Sequence, residues 1–72
     1  MESTPVGAAL ALLDRDQLYV VVSFYWGRVT ERQIAGELTV LRGATYSRDR
    51  VHRIRLTAQA RLERQLQRLV AA

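Results

Sequence analysis

Residues 47–70 read SRDRVHRIRLTAQARLERQLQRLV and form the longest helical pattern of the chain. Ser47 is a typical N-cap, because its hydroxyl can accept a hydrogen bond from a backbone N–H of the first turn. Apolar residues then recur at steps of three or four, which is the period of one buried helical face. They are Val51, Ile54, Ala58, Leu62, Leu66 and Leu69. The pattern predicts a helix from Arg48 to about Val70, about 34 Å long.

Three shorter helices are predicted before this stretch. The pair Thr4-Pro5 starts the first, because proline is favoured at the first helical position, and this helix is expected to continue to Leu13. Asp14 is the expected N-cap of the second helix, which should end at Gly27. The spacing i, i+3, i+4, i+7 predicts the buried face of this second helix. That face consists of Leu18, Val21, Val22 and Tyr25.

The run Val20–Val22 is β-branched and therefore also typical of a strand. A helix is preferred because the chain offers no second strand of similar quality. Thr30 and Gln33 have the spacing of a capping box, which predicts a third short helix through Ile34, Ala35 and Leu38. The segment 39–46, with Gly43 in its middle, is expected to be a looser connection.

These segments predict an all-α fold, a small bundle of four helices that contains a helix-turn-helix with a lengthened turn and a long C-terminal helix. A chain of 72 residues is too short to build two hydrophobic cores, so residues 1–72 are predicted to form a single domain.

Composition excludes several classes of function. The chain has no cysteine and one histidine, His52, which leaves too few ligands for a zinc site and no paired groups for catalysis. The longest apolar stretch, Leu18–Trp26, is far shorter than the roughly 20 residues that cross a bilayer. The N-terminus has no basic region followed by an apolar run, as a secretory signal would. We therefore expect a cytoplasmic protein that has no cofactor, does not enter membranes and is not an enzyme.

Charge is distributed unevenly along the chain. Residues 1–40 carry three arginines and five acidic residues, whereas residues 41–72 carry eight arginines and two acidic residues. A basic half of this kind is typical of proteins that bind polyanions, although a solvated helix face is the alternative. Every basic residue apart from His52 is arginine, whose planar guanidinium suits bidentate contacts to phosphate and guanine.

A short capped helix, a turn and a capped basic helix occur in the order of a helix-turn-helix, whose second helix enters the major groove of DNA. If Val51 and Ile54 face the core, the polar residues that face outward are Arg48, Asp49, Arg50, His52 and Arg53. Arg48, Arg50 and Arg53 are then expected to approach bases and phosphates of double-stranded DNA. The remaining candidates for contact with DNA are Arg42, Thr45, Ser47, His52 and Arg55.

The stretch 6–69 resembles the fourth conserved region of bacterial sigma factors. Residues of each helix carry the resemblance, which is most specific at residues 47–54. They are Ala9-Leu10, Leu13, Val22, Tyr25-Trp26-Gly27, Val29-Thr30, Gln33-Ile34-Ala35, Leu38, Arg61-Leu62 and Ser47-Arg48-Asp49-Arg50-Val51-His52-Arg53-Ile54. The resemblance implies a domain that reads promoter DNA beside RNA polymerase.

The chain departs from that family in the turn between the two helices. Sixteen positions separate Ala35 from Val51, so the turn carries about six extra residues near Val40 to Thr45, and Thr39 replaces the usual turn glycine. The insertion could shift the basic helix, or add a loop in which Arg42 contacts phosphate. It could also belong to a small protein of phage or plasmid type that binds RNA polymerase or a sigma factor without reading DNA.

Two further patterns leave alternatives open. Leu62, Leu66 and Leu69 could close the core of a monomer or form the seam of a homodimer. The aromatic run Phe24–Trp26 could pack in the core, which its helical spacing favours, or stack on bases.

Overall fold

A computed structural model describes residues 5–71, in which four α-helices account for most of the chain. They are α1 (Pro5–Leu10), α2 (Arg15–Val21), α3 (Glu31–Arg42) and α4 (Arg48–Ala71), and a π-helical turn (Val22–Trp26) continues α2. The all-α prediction is confirmed, and the described residues contain no strand. The expected cap at Thr4 lies outside the described residues.

Local capping interactions explain where the inner helices begin. Asp14 accepts a hydrogen bond from the backbone N–H of Gln17 at 2.8 Å, and the Gln17 side chain accepts one from the backbone of Asp14 at 3.2 Å. Thr30 and Gln33 form the same reciprocal pair at the start of α3. Such capping boxes satisfy backbone donors that would otherwise lack partners at a helix start. The predicted starts of α2 and α3 are confirmed.

Two predicted helix ends are wrong. The helix α1 ends at Leu10 instead of reaching Leu13, which is buried although it lies beyond the helix. The helix α3 continues through Arg42, so the beginning of the segment expected to be loose is helical. It ends at Gly43, which adopts a left-handed conformation with φ of 67°. Much of the insertion after Ala35 therefore lengthens α3 instead of the turn.

The buried face predicted for α2 is also wrong, apart from Val21. Leu18, Val22 and Tyr25 are exposed, whereas Val20 is fully buried beside Val21. Because the whole segment 18–26 is apolar or aromatic apart from Ser23, its spacing alone does not select a face. Packing selects it, since Val20 joins the cluster around α3 and Val21 joins the cluster around Ala58 of α4.

Two hydrophobic clusters, which lie at different levels of α4, make up most of the core. The larger cluster joins α2, α3, the turn and the start of α4, and the smaller one joins α1, α2 and the middle of α4. The larger consists of Val20, Ile34, Ala35, Leu38, Tyr46 and Val51, and the smaller of Leu13, Val21 and Ala58. Leu62 packs against the smaller cluster, so this member of the proposed dimer seam contributes to the core of the monomer.

The remaining members of that seam are less enclosed. Leu66 is half-buried, and the side chain of Leu69 lies outside the described residues. Of the aromatic run, Phe24 packs against the larger cluster, but Trp26 is 60% exposed. The prediction that these aromatic residues pack in the core is therefore wrong for Tyr25 and Trp26. No helix among residues 5–71 is both long and apolar enough to cross a membrane.

Candidate nucleic-acid interface

The candidate interface begins where α4 leaves the turn. The hydroxyl of Ser47 accepts a hydrogen bond from the backbone N–H of Arg50 at 3.1 Å, so this side chain caps α4 as predicted. Val51 is fully buried and Ile54 packs against the larger cluster. Both predicted inward residues therefore face the core, and this fixes which residues of the first two turns face solvent.

Three arginines project from these turns. Arg48 and Arg53 are exposed, and neither has a hydrogen bond or ion pair among the described residues. Arg50 is also exposed, and its guanidinium carbon lies 4.1 Å from the centre of the Tyr46 ring. This cation–π contact restricts the side chain while leaving its N–H groups free to bind a ligand. Thr45 is exposed just before them.

Arg42, by contrast, is held within the protein. Its Nε and Nη2 atoms each lie 2.9 Å from Oδ1 of Asp16, and the Tyr46 hydroxyl donates to Oδ2 of Asp16 at 2.6 Å. The hydrogen bond from Tyr46 and the guanidinium of Arg42 hold the pKa of Asp16 below its usual value, although partial burial opposes them. The same hydrogen bond raises the pKa of Tyr46. This cluster joins the start of α2 to the turn.

His52 and Arg55 are held on the other flank of α4. Nδ1 of His52 lies 2.8 Å, and Nε of Arg55 2.9 Å, from Oε2 of Glu31, whose side chain is 11% exposed. Burial alone would raise the pKa of Glu31, but hydrogen bonds from Arg55 and His52, with their charges, lower it. The guanidinium carbon of Arg55 also lies 4.4 Å from the centre of the Phe24 ring.

The eight predicted contact residues therefore fall into two groups. Thr45, Arg48, Arg50 and Arg53 present polar groups to solvent. Arg42, Ser47, His52 and Arg55 use theirs for capping or for ion pairs that connect the helices. The first group is therefore open to a ligand, whereas the second group caps α4 or connects it to the neighbouring helices.

An open groove of about 750 Å³ lies beside this surface, between the start of α2 and the first half of α4. Arg15, which is not among the predicted contact residues, lines it together with Arg42, Arg50 and Arg53. No local pattern marks Arg15, because it is the packing of α2 against α4 that places it near residues almost 40 positions later.

A second groove, of about 720 Å³, runs along the outer side of α3. Its apolar lining comes from Tyr19, Val29, Val40 and Leu41, and Val40 is 83% exposed. Exposed apolar residues that lie side by side are typical of surfaces that contact another protein.

Residues 5–71 contain no group of three or more side chains that could hold a metal ion. No family model, curated protein or solved structure matches this chain.

Proposed function

We propose that this protein is a small transcription regulator that binds double-stranded DNA through the first two turns of α4. The observation that carries the proposal is that Arg48 and Arg53 are exposed and have no partner among the described residues, beside Arg50 on the ring of Tyr46. An arginine without an internal partner contributes little to folding, whereas its guanidinium can bind phosphate or the edge of guanine.

The shape of α4 supports this proposal. An α-helix with its side chains is about 10–12 Å across, and the major groove of B-DNA is about 12 Å wide. Burial of Val51 on one side of α4 turns Arg53 and Asp49 toward the other side. The helix can therefore enter the groove with Arg53 and Asp49 in front and its apolar face still on the core.

The internal ion pairs support the proposal as well. Carboxylates near a DNA-binding surface repel phosphates, but Asp16 and Glu31 are each neutralised by an arginine within the protein. Their pairing leaves three exposed arginines, Arg48, Arg50 and Arg53, and one exposed carboxylate, Asp49, in the first two turns of α4. The resemblance to the fourth region of sigma factors, strongest at residues 47–54, favours the same surface.

The proposal is tested by a gel-shift titration with random duplex DNA over a range of salt concentrations. We expect the double substitution Arg48→Ala/Arg53→Ala to lower duplex affinity at least about tenfold at low salt. It should also reduce the salt slope, which is the slope of log affinity against log salt concentration, by about 2, because each neutralised phosphate contributes about 0.9 to that slope. Selection of preferred sites from a random pool then identifies the bases that α4 reads.

The matched control is Arg64→Ala/Arg68→Ala, which removes the same charge from exposed arginines further along α4. Arg64 lies about 16 Å beyond Arg53 along the helix, so this variant should keep most of the affinity. Equal losses in both variants, or no loss in either, would contradict the proposed surface.

A second candidate function is favoured by the groove along α3. The exposed Val40 and Leu41 suit a protein that docks on RNA polymerase or a sigma factor and changes promoter use without reading DNA. The two candidates differ in one measurement, which is co-purification with RNA polymerase in the absence of DNA at low salt. Co-purification without any duplex binding would favour the second candidate, and failure to co-purify would count against it.

A further inference from the structure

The groove between α2 and α4 is lined mainly by charged and polar residues. Four of them are arginines, two are aspartates, and a hydroxyl lies at one edge. The lining consists of Asp14, Arg15, Asp16, Gln17, Arg42, Arg50, Arg53, Ile54 and Thr57. No aromatic side chain of the described residues lines the groove, whereas four guanidinium groups do, and guanidinium groups bind phosphate. Its chemistry suits the sugar–phosphate part of a nucleic acid.

The two aspartates are occupied by contacts within the protein. Asp14 caps α2 through the backbone N–H of Gln17 at 2.8 Å, and Asp16 accepts from Arg42 and Tyr46. Arg15 and Arg53, in contrast, are exposed and lack hydrogen bonds and ion pairs among the described residues. The groove therefore presents the unpaired guanidinium groups of Arg15 and Arg53, one from each of its walls, beside that of Arg50.

The position of Arg15 is unfavourable for the helix that carries it. It is the first residue of α2, where the partial positive charge of the helix N-terminus favours acidic residues and disfavours a cation. The charges of the neighbouring Asp14 and Asp16 reduce this cost, but neither aspartate forms an ion pair with Arg15 among the described residues. The guanidinium of Arg15 is therefore available to bind a ligand outside the protein.

The groove is continuous with the surface proposed to bind DNA, because Arg50 and Arg53 belong to both. A helix inserted in the major groove has a sugar–phosphate backbone on each side. On one side of α4, the first residue of α2 then lies next to one of these backbones. On the other side of α4, His52 and Arg55 are already paired with Glu31.

We propose that this groove holds the backbone of one DNA strand and that Arg15 binds a phosphate there while α4 occupies the major groove. This inference rests on the proposed function and extends it to a second helix. Contact from α2 as well as α4 fixes the angle at which α4 enters the groove, because two separate elements then hold the same strand. Arg15 is accordingly a binding residue for the backbone and does not read bases.

The test is the salt dependence of duplex binding by Arg15→Ala, measured beside the wild-type protein and Arg64→Ala. We expect the salt slope of Arg15→Ala to be smaller by about 0.9, so that its affinity falls about 3.5-fold less than that of wild type between about 50 and 200 mM salt. Arg64→Ala removes an equal charge outside the groove and should keep the wild-type slope. Because alanine relieves the unfavourable charge at the start of α2, Arg15→Ala should be at least as stable as wild type in urea unfolding.

A second experiment identifies the DNA phosphate that Arg15 is proposed to bind. Neutral methylphosphonates are placed singly along each strand of a selected duplex site, and at one flanking position we expect wild type to lose affinity while Arg15→Ala is unaffected.

A salt slope equal to that of wild type in Arg15→Ala, or loss of affinity at the same phosphates in both proteins, would overturn the inference while leaving the role of α4 intact. If the wild-type protein does not bind duplex DNA, that result contradicts the proposed function itself. Saturable binding of inorganic phosphate that Arg15→Ala abolishes, with duplex binding unchanged, would assign the groove to a small anion and also overturn the inference.

Discussion

At the scale of single residues, Tyr46 and Asp16 connect the parts of the molecule that orient α4. The hydroxyl of Tyr46 donates to Asp16, its ring lies under the guanidinium of Arg50, and its backbone N–H donates to Oγ1 of Thr39 at 2.9 Å. The carboxylate of Asp16 also forms an ion pair with Arg42 at the end of α3. One acidic side chain of α2 thus holds both ends of the turn that precedes α4.

The pKa of Asp16 makes this cluster sensitive to acid. Because its folded-state pKa is lowered below the usual 3.8, the stability that Asp16 contributes is present above that value and is lost as the pH falls through the lower folded-state pKa. We expect Asp16→Asn to reduce the free energy of unfolding at pH 7 by about 1 kcal/mol, a modest figure because the carboxylate is partly exposed. The difference from wild type should shrink as the pH falls below 3.8.

Urea unfolding at neutral pH and at several values below 4 measures this change. Glu63→Gln is the control, because Glu63 is exposed and, among the described residues, accepts a hydrogen bond only from the side chain of Gln59 at 3.3 Å. The control should differ little from wild type at any pH. A constant difference between Asp16→Asn and wild type down to the lowest pH would show that the charge of Asp16 does not stabilise the fold.

At the scale of elements, the end of α3 decides where the turn begins. Gly43 has φ of 67°, a conformation that costs other residues roughly 1–2 kcal/mol. Gly36 lies within the same helix, is exposed, and has open space where a side chain would begin. The same substitution should therefore have opposite effects at these two glycines.

We expect Gly43→Ala to lower the free energy of unfolding by about 1 kcal/mol, because alanine is strained in the left-handed conformation. Gly36→Ala should raise it by about 0.5–1 kcal/mol, because alanine favours the helix interior. Urea titrations of the two variants beside wild type test both signs together. Stabilisation by Gly43→Ala would contradict the left-handed end of α3.

Comparison of these elements with the sequence shows what local patterns can predict. Asp14, Thr30 and Ser47 act on the backbone within three residues, so the starts of α2, α3 and α4 were predicted. The end of α3 was not, because Thr39 can lie inside a helix as well as at its end. Its Oγ1 atom donates to the carbonyl of Ala35 at 2.8 Å, which is compatible with a continuing helix.

The candidate site shows a similar division. Charge and spacing predicted the exposed arginines at the start of α4, since the inward positions of Val51 and Ile54 leave few other places for them. They did not predict that Arg42 would bind Asp16, 26 positions earlier, or that Arg55 would bind Glu31, 24 positions earlier. Such pairs depend on how the helices pack, and so does the place of Arg15 beside α4.

At the scale of the whole molecule, α4 packs against each of the other three helices. Its 24 residues span about 36 Å, close to the longest dimension of the molecule, 40 Å. The two hydrophobic clusters lie along it, with Val51 in one and Ala58 in the other. The helix proposed to bind DNA is therefore also the helix that organises the core, so its position depends on how α1, α2 and α3 pack against it.

Ala58 tests this dependence, because it is fully buried beside Val21 of α2 and Leu13. We expect Ala58→Leu to lower the free energy of unfolding by about 1–3 kcal/mol, since the larger side chain must push these elements apart. The same change at Ala60, which is exposed two residues later, should alter stability by no more than about 0.5 kcal/mol. Urea unfolding compares the two variants, and equal stabilities would mean that α2 does not pack closely on α4. Duplex titration of folded Ala58→Leu should also show a reduced salt slope, because separation of α2 from α4 moves Arg15 away from the strand that Arg53 contacts.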